Sequence, residues 1–187
     1  MSTRSRRGGH VPRFQHRRRQ MPEEIAAWRK VTAAVHARDG KIFLQIMHVG
    51  RIAHSANRTI ADSPVAPSAI RAAGQMWTDS SGMQPLDMPR ALELSEIPSV
   101  IGEYAEATRN ALASGFDGVE LHAASGYLPN QFLAHGSNRG IDGYGGSIEN
   151  RLRFVVETLE TDCRGRFAGQ SRNEGQSGYE FKRYSAQ

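Results

Sequence analysis

Gly115–Tyr127 reads GFDGVELHAASGY, and this stretch decides the fold. Glycine tolerates the left-handed conformation that closes a helix, so Gly115 marks a helix end. Phe116, Val119 and Leu121 then supply the apolar content of a short buried strand. His122, Ser125 and Tyr127 follow at once, separated only by two alanines and Gly126. In a β/α protein, polar side chains just past the C-terminal end of a strand lie on the face where ligands bind. A donor pair followed by a phenol suits an anionic or carbonyl oxygen.

Working backwards, Ser95 is placed to cap a helix starting at Glu96, with Ile97, Ile101, Tyr104, Thr108, Ala111 and Leu112 on its buried face. Before it, Ser55–Leu94 is rich in Pro, Gly and Ser, which forbids a long helix and reads as a long excursion. Lys41–Met47 (KIFLQIM) is an apolar run broken only by Gln45, the pattern of a buried parallel strand. A glutamine there needs partners. A backbone group, a water or a ligand with adjacent donor and acceptor atoms would each serve. His48, Arg51 and His54 come next; the spacing lacks a third metal ligand, so both histidines are expected in structural hydrogen bonds. The first helix starts near Pro22 and ends by Gly40, with Ile25, Trp28, Val31 and Val35 on one face.

Working forwards, Leu128–Leu133 suits a short helical turn, and Ser137–Gly146 (SNRGIDGYGG) is a loop. Ser147 caps a third long helix with Ile148, Leu152, Val155, Val156 and Leu159 on one face. Past Asp162 the pattern ends. The alternation of helix and strand implies parallel strands with right-handed crossovers. Two strands are too few for a whole (β/α)8 barrel, which takes about 250 residues.

The net charge of +5 is unevenly distributed. Residues 1–20 carry seven Arg and no acid, residues 163–187 are +3, and residues 21–162 are −5. The basicity therefore belongs to two end segments of low apolar content, both expected to be disordered tails. A basic-tailed nucleic-acid-binding module is the competing reading of those Arg runs. Mean hydropathy is −0.54, and no apolar run reaches the roughly 18 residues of a membrane span. The Arg-rich start lacks the apolar centre of a secretory signal. Cys163 is the sole cysteine, which excludes an intrachain disulfide and fits a cytoplasmic location.

Five segments together resemble the old yellow enzyme family: GKIFLQIMHVGRIAH (40–54), SPVAPSAI (63–70), PRALELSEIP (89–98), GFDGVELHAASGYLPNQFL (115–133) and YGGSIENRLRF (144–154). The resemblance covers residues 21–162, in order. It implies an FMN-dependent NAD(P)H oxidoreductase that reduces activated alkenes such as enones and maleimides, acting on small molecules. The fold it implies is an incomplete (β/α)8 TIM barrel carrying about two parallel strands and three helices between disordered ends, with residues 1–20 and 163–187 as the tails. By resemblance, Gln45 is the cofactor-binding glutamine of the flavin pyrimidine ring and Met47 lines the substrate pocket. His122 binds the substrate's electron-withdrawing oxygen and Tyr127 donates the proton. Ser125 stands where the family carries Asn or His as the second donor. Asn138–Asp142 reads NRGID where the family has N-x-R-x-D. The family's first two strands and its later, phosphate-binding strands have no counterpart in this sequence. The expectation is a truncated or frame-disrupted form with weak FMN binding and little activity of its own, or a remnant without function.

Overall fold

The computed structural model describes residues 22–58 and 63–167, without the side chains of 163–167. The two expected tails lie outside the described residues, apart from the start of the second.

Four α-helices and six short strands follow one another: α1 (Pro22–His36), β1 (Phe43–Ile46), β2 (Val65–Ala66), β3 (Gln75–Thr78), β4 (Gly82–Pro85), β5 (Arg90–Ala91), α2 (Ile97–Ala113), β6 (Gly118–Leu121), α3 (Leu128–Leu133) and α4 (Ile148–Phe167). The central sheet is the parallel pair β1–β6, in the register Phe43↔Gly118, Leu44↔Val119, Gln45↔Glu120, Ile46↔Leu121. Successive strand residues point to opposite faces. One face therefore carries Leu44, Ile46, Val119 and Leu121, and the other Phe43, Gln45 and Glu120.

The first face is backed by helices. Ile46 joins Ile97, Val100, Ile101, Tyr104 and Ala107 of α2, Leu128 and Phe132 of α3, and Phe154 of α4 in one core, with Val119 and Leu121 packed against it. Phe132 and Phe154 stack with centroids 4.1 Å apart and planes 7° from parallel, and the Tyr104 ring meets Phe154 edge-on at 6.2 Å. Gly115 closes α2 as its sequence requires, at φ +87, and a Cβ there would lie 2.7 Å from Thr32 Oγ1. The Thr32 hydroxyl donates to Ser114 O at 2.8 Å, which fastens α1 to the end of α2. Asp117 ties the strand starts together. Its carboxylate accepts from Ile42 N (2.9 Å), His36 Nε2 (2.9 Å) and Lys41 Nζ (3.0 Å), and these bonds, the Ile42 amide first, hold its pKa well below the usual range.

Several expectations are corrected. Ser95 does not cap α2. Glu96 occupies the cap position, and its carboxylate is engaged by Arg90 (2.6 and 2.7 Å) and Glu93 N (2.8 Å), with its pKa lowered to about 2 chiefly by Arg90. The 55–94 excursion is not structureless: β3 and β4 pair as an antiparallel hairpin, and β2 and β5 form a two-residue parallel bridge. On α1, Thr32 is buried and Val31 is exposed. α4 continues to Phe167, past the end expected at Asp162, with Gly165 inside its last turn. Among the described side chains its buried residues are Phe154, Thr158 and Asp162; of the expected face only Val155 packs against the core, while Ile148, Leu152, Val156 and Leu159 are exposed. Ser147 caps α4 as expected, its Oγ accepting from Asn150 N at 3.2 Å.

Candidate active site

Both strands of the central pair end in loops, and the two loops are bound to each other. After β6 the chain makes a tight turn: Ser125 and Gly126 both have positive φ (56 and 75), and Tyr127 N returns a hydrogen bond to Ala124 O at 3.1 Å. Two left-handed central residues define a turn of this hand. After β1, Leu128 N donates to His48 O at 2.8 Å. Gln131 completes the junction. Its Nε2 donates to Val49 O (3.1 Å) and Gly126 O (2.7 Å), and its Oε1 accepts from Arg51 N (3.2 Å). The side chain is fully buried, and every bond it makes joins one loop to the other or to α3. Gly50, at φ +56, lets the β1 loop pass; a Cβ there would meet the Gln131 amide at 2.3–2.7 Å. Sequence reading missed Gln131. A buried glutamine in a short helix has no pattern of its own, and only the juxtaposition of the loops gives it a role.

The turn delivers Tyr127 against His122, with ring centroids 5.0 Å apart and planes inclined by 55°. Both rings are half-buried, and Ser125 is exposed. The ladder continues one step past β6, since His122 N donates to Ile46 O at 3.0 Å. The register carried two residues beyond Gln45↔Glu120 sets Met47 level with His122, on the same face as Gln45 and Glu120. Four of the five expected residues, Gln45, Met47, His122 and Tyr127, thus gather at the C-terminal end of one sheet face. Gln45 is exposed there, and its Nε2 donates to Glu120 Oε1 at 3.2 Å. A carboxylate across the strand is a partner that the sequence did not indicate.

His48 and His54 are in structural hydrogen bonds, as expected. His48 Nδ1 accepts from Gly50 N at 3.0 Å and His54 Nδ1 from Ala56 N at 3.1 Å, with His54 Nε2 3.7 Å from Asp87. In the NRGID loop, Asn138 is buried and spans the loop. Its Nδ2 donates to Phe132 O (2.9 Å) and Tyr144 O (2.7 Å), and its Oδ1 accepts from Gly140 N. Arg139, the displaced arginine, is exposed beside His135. The Tyr144 hydroxyl donates to Glu157 at 2.7 Å, and burial followed by that carboxylate raises its pKa to about 12.

Comparison with known proteins identifies the family. The sequence profile described as NADH:flavin oxidoreductase / NADH oxidase family matches residues 18–164. A probable flavin mononucleotide-dependent alkene reductase of Leishmania infantum is 47% identical over 142 residues, covering 74% of this chain and 39% of that protein. 12-Oxophytodienoate reductase 1 of Oryza sativa subsp. japonica is 41% identical over 138 residues, covering 74% and 35%. Among solved structures, morphinone reductase superposes with a TM-score of 0.72 at 44% identity, over 77% of this chain and 40% of its own. The old yellow enzyme homologue from Zymomonas mobilis gives 0.73 at 41% identity, over 78% and 40%. The chain spans less than half the length of these relatives, and its architecture is that of part of a (β/α)8 barrel. The profile match over most of the sequence, and a fold shared with part of these solved structures, lead to one assignment: this chain belongs to the old yellow enzyme family of NADH:flavin oxidoreductases.

Proposed function

We propose that this chain carries one wall of an FMN-dependent NAD(P)H oxidoreductase that reduces activated alkenes, enones and maleimides among them. The observation that carries the reading is the His122–Tyr127 pair, 5.0 Å apart, at the end of the strand whose neighbour presents Gln45. The donor set fits a flavin: an exposed amide offers both donor and acceptor to a heterocycle edge. FMN, when bound, supplies the hydride and is recharged by NAD(P)H. The chain's own residues do the rest. Gln45 holds the pyrimidine edge. His122, assisted by Ser125, donates to the alkene's electron-withdrawing oxygen and stabilises the charge that grows there. Tyr127 delivers the proton to carbon as general acid, and Met47 lines the pocket. Ser125 is shorter than the Asn or His of the family pattern, so the second donor bond is the weaker one. The location is cytoplasmic, in keeping with a lone cysteine and with no described helix long and apolar enough to cross a membrane.

The described residues supply one wall of a flavin site, so affinity and turnover are expected to be low in this chain by itself. The test is a flavin-fluorescence titration with FMN, followed by NADH- or NADPH-driven reduction of 2-cyclohexenone. Tyr127→Phe is expected to slow reduction by about 10²–10⁴-fold with little change in FMN affinity. His122→Ala is expected to raise the enone KM. Reduction that is indifferent to both substitutions would refute the assignment.

A further inference from the structure

We propose that Glu120 sets the orientation of the Gln45 amide and so makes this face selective for a ring edge with an imide N–H beside a carbonyl. The inference rests on the flavin reading above for its ligand, and on geometry alone for the orientation.

A glutamine amide has two faces of opposite character, and rotation by a half turn exchanges them. What decides between the two is the neighbour. Glu120 lies directly across the parallel ladder from Gln45, and its Oε1 is 3.2 Å from Gln45 Nε2. An ionised carboxylate only accepts, so it meets the NH2 group and repels the carbonyl. The NH2 carries two hydrogens. The one that points away from the amide carbonyl suits Glu120, and the other then stands beside Oε1. The edge left facing outward is one acceptor and one donor, side by side. Its complement is a donor beside an acceptor, which is the edge of a cyclic imide. Gln45 with the amide reversed would set its carbonyl against the carboxylate.

The arrangement is local to this face. Phe43 precedes Gln45 on it and offers no polar atom, and the buried Gly118 opposite Phe43 has no side chain. Lys41, the cation nearest in sequence, is bound to Asp117 at 3.0 Å. Glu120 is a positioning residue in this scheme: it acts through Gln45.

Two measurements on the 187-residue chain decide the matter. The first needs no flavin. In a 15N–1H spectrum, the two Nε2 protons of Gln45 give separate signals in any case; the one bonded to the carboxylate is expected further downfield than in a free glutamine amide, and Glu120→Leu is expected to return it to the ordinary position. The Gln131 amide, buried and bonded on all sides, reports in the same spectrum that the fold is intact. A Gln45 pair unmoved by Glu120→Leu overturns the proposal. The second measurement compares FMN with its N3-methyl derivative, which has lost the imide donor. The unsubstituted chain is expected to prefer FMN by about tenfold, the value of one hydrogen bond, and Glu120→Gln to reduce that preference to about two- to threefold. A glutamine at 120 both donates and accepts, so it stabilises either amide orientation. An unchanged preference overturns the selectivity. Failure of either form to bind FMN overturns the selectivity proposed for this chain, while the amide spectrum still decides whether Glu120 orients Gln45.

Discussion

The two faces of the β1–β6 pair are built from the same eight residues, yet they obey different rules. On the helix-backed face Ile46 is 6% exposed and locked among α2, α3 and α4; on the open face Phe43, three residues earlier, is 61% exposed. The backed face is held by packing, where shape decides and each methylene counts. The open face is held by the backbone ladder and by one cross-strand hydrogen bond, so its side chains are free to meet a ligand. Stability therefore resides on one side of the sheet, and the proposed chemistry is assigned to the other, with the loops at the strand ends joining them.

The largest effect should come from Phe154→Ala. Its ring is wholly buried and stacks on Phe132 at 4.1 Å. Truncation of a buried phenylalanine costs about 3–5 kcal/mol, enough to unfold a marginal domain. Chemical denaturation should show the midpoint falling sharply or the transition vanishing. A loss below 1 kcal/mol would mean that the backed face is not one cooperative core.

Gln131→Leu comes next and tests the joint between the faces. The volume is nearly kept, but Val49 O, Gly126 O and Arg51 N lose their partner. Each buried polar group left unpaired costs about 1–3 kcal/mol, less where water enters. We expect a destabilisation of about 2–4 kcal/mol, with faster hydrogen exchange at Gly126 and Arg51 while α2 stays protected. Uniform loss of protection would instead make Gln131 an ordinary core residue.

A third test concerns pH. Asp162 of α4 is buried beside Thr108 and Tyr104 of α2, and the Tyr104 hydroxyl finds no hydrogen-bond partner among the described residues. Burial raises the Asp162 pKa to about 6, and burial first, then the charges of Asp162 and Glu103, pushes the Tyr104 phenol up. The folded state thus holds the Asp162 proton more tightly than the unfolded chain. Its contribution is fully present below about pH 4 and is lost as pH rises through about 6. Unfolding midpoints measured from pH 4 to 8 should decline across that window, and Asp162→Asn should flatten the decline. A midpoint that rises with pH over the same range contradicts the placement of Asp162 in the α2–α4 contact.

The backed face was legible in the sequence wherever a period met a stop signal. The spacing of Ile97, Ile101, Tyr104 and Thr108, closed by Gly115, gives α2 its length and its buried side correctly. α4 was legible in position but not in facing. Ile148, Leu152, Val156 and Leu159 lie on the exposed side, Val155 alone of the expected face packs against the core, and Phe154, Thr158 and Asp162, a mixed set without apolar period, are buried. Contact with α2 and α3, not hydrophobicity, selects the side that is covered. The β3–β4 hairpin escaped notice because Gly74, Gly82 and Pro85 read as loop, although Gly74 and Gly82 take the positive φ of turns (100 and 67) at hairpin ends. Of the candidate site, His122 and Tyr127 stood out by their place just past a strand, and the roles proposed for them came from the family resemblance. Glu120 and Gln131 did not stand out, since each acquires its meaning from a partner more than 70 residues away.

The smallest expected effect belongs to the open face itself. Phe43→Ser removes a large ring that touches little, so stability should change by less than about 0.5 kcal/mol, as for other exposed positions away from special features. Solubility should respond differently. An exposed aromatic on a strand whose outer edge is unpaired among the described residues is a ready contact for a second sheet. Sedimentation of concentrated samples should therefore show less self-association in Phe43→Ser than in the unsubstituted chain, at equal unfolding midpoints. The two readings separate cleanly. If Phe43→Ser costs 2 kcal/mol or more, comparable to a core substitution, then Phe43 is covered in solution, the two faces of the sheet are both structural, and the division between a packed side and a binding side fails at the residue where it is sharpest.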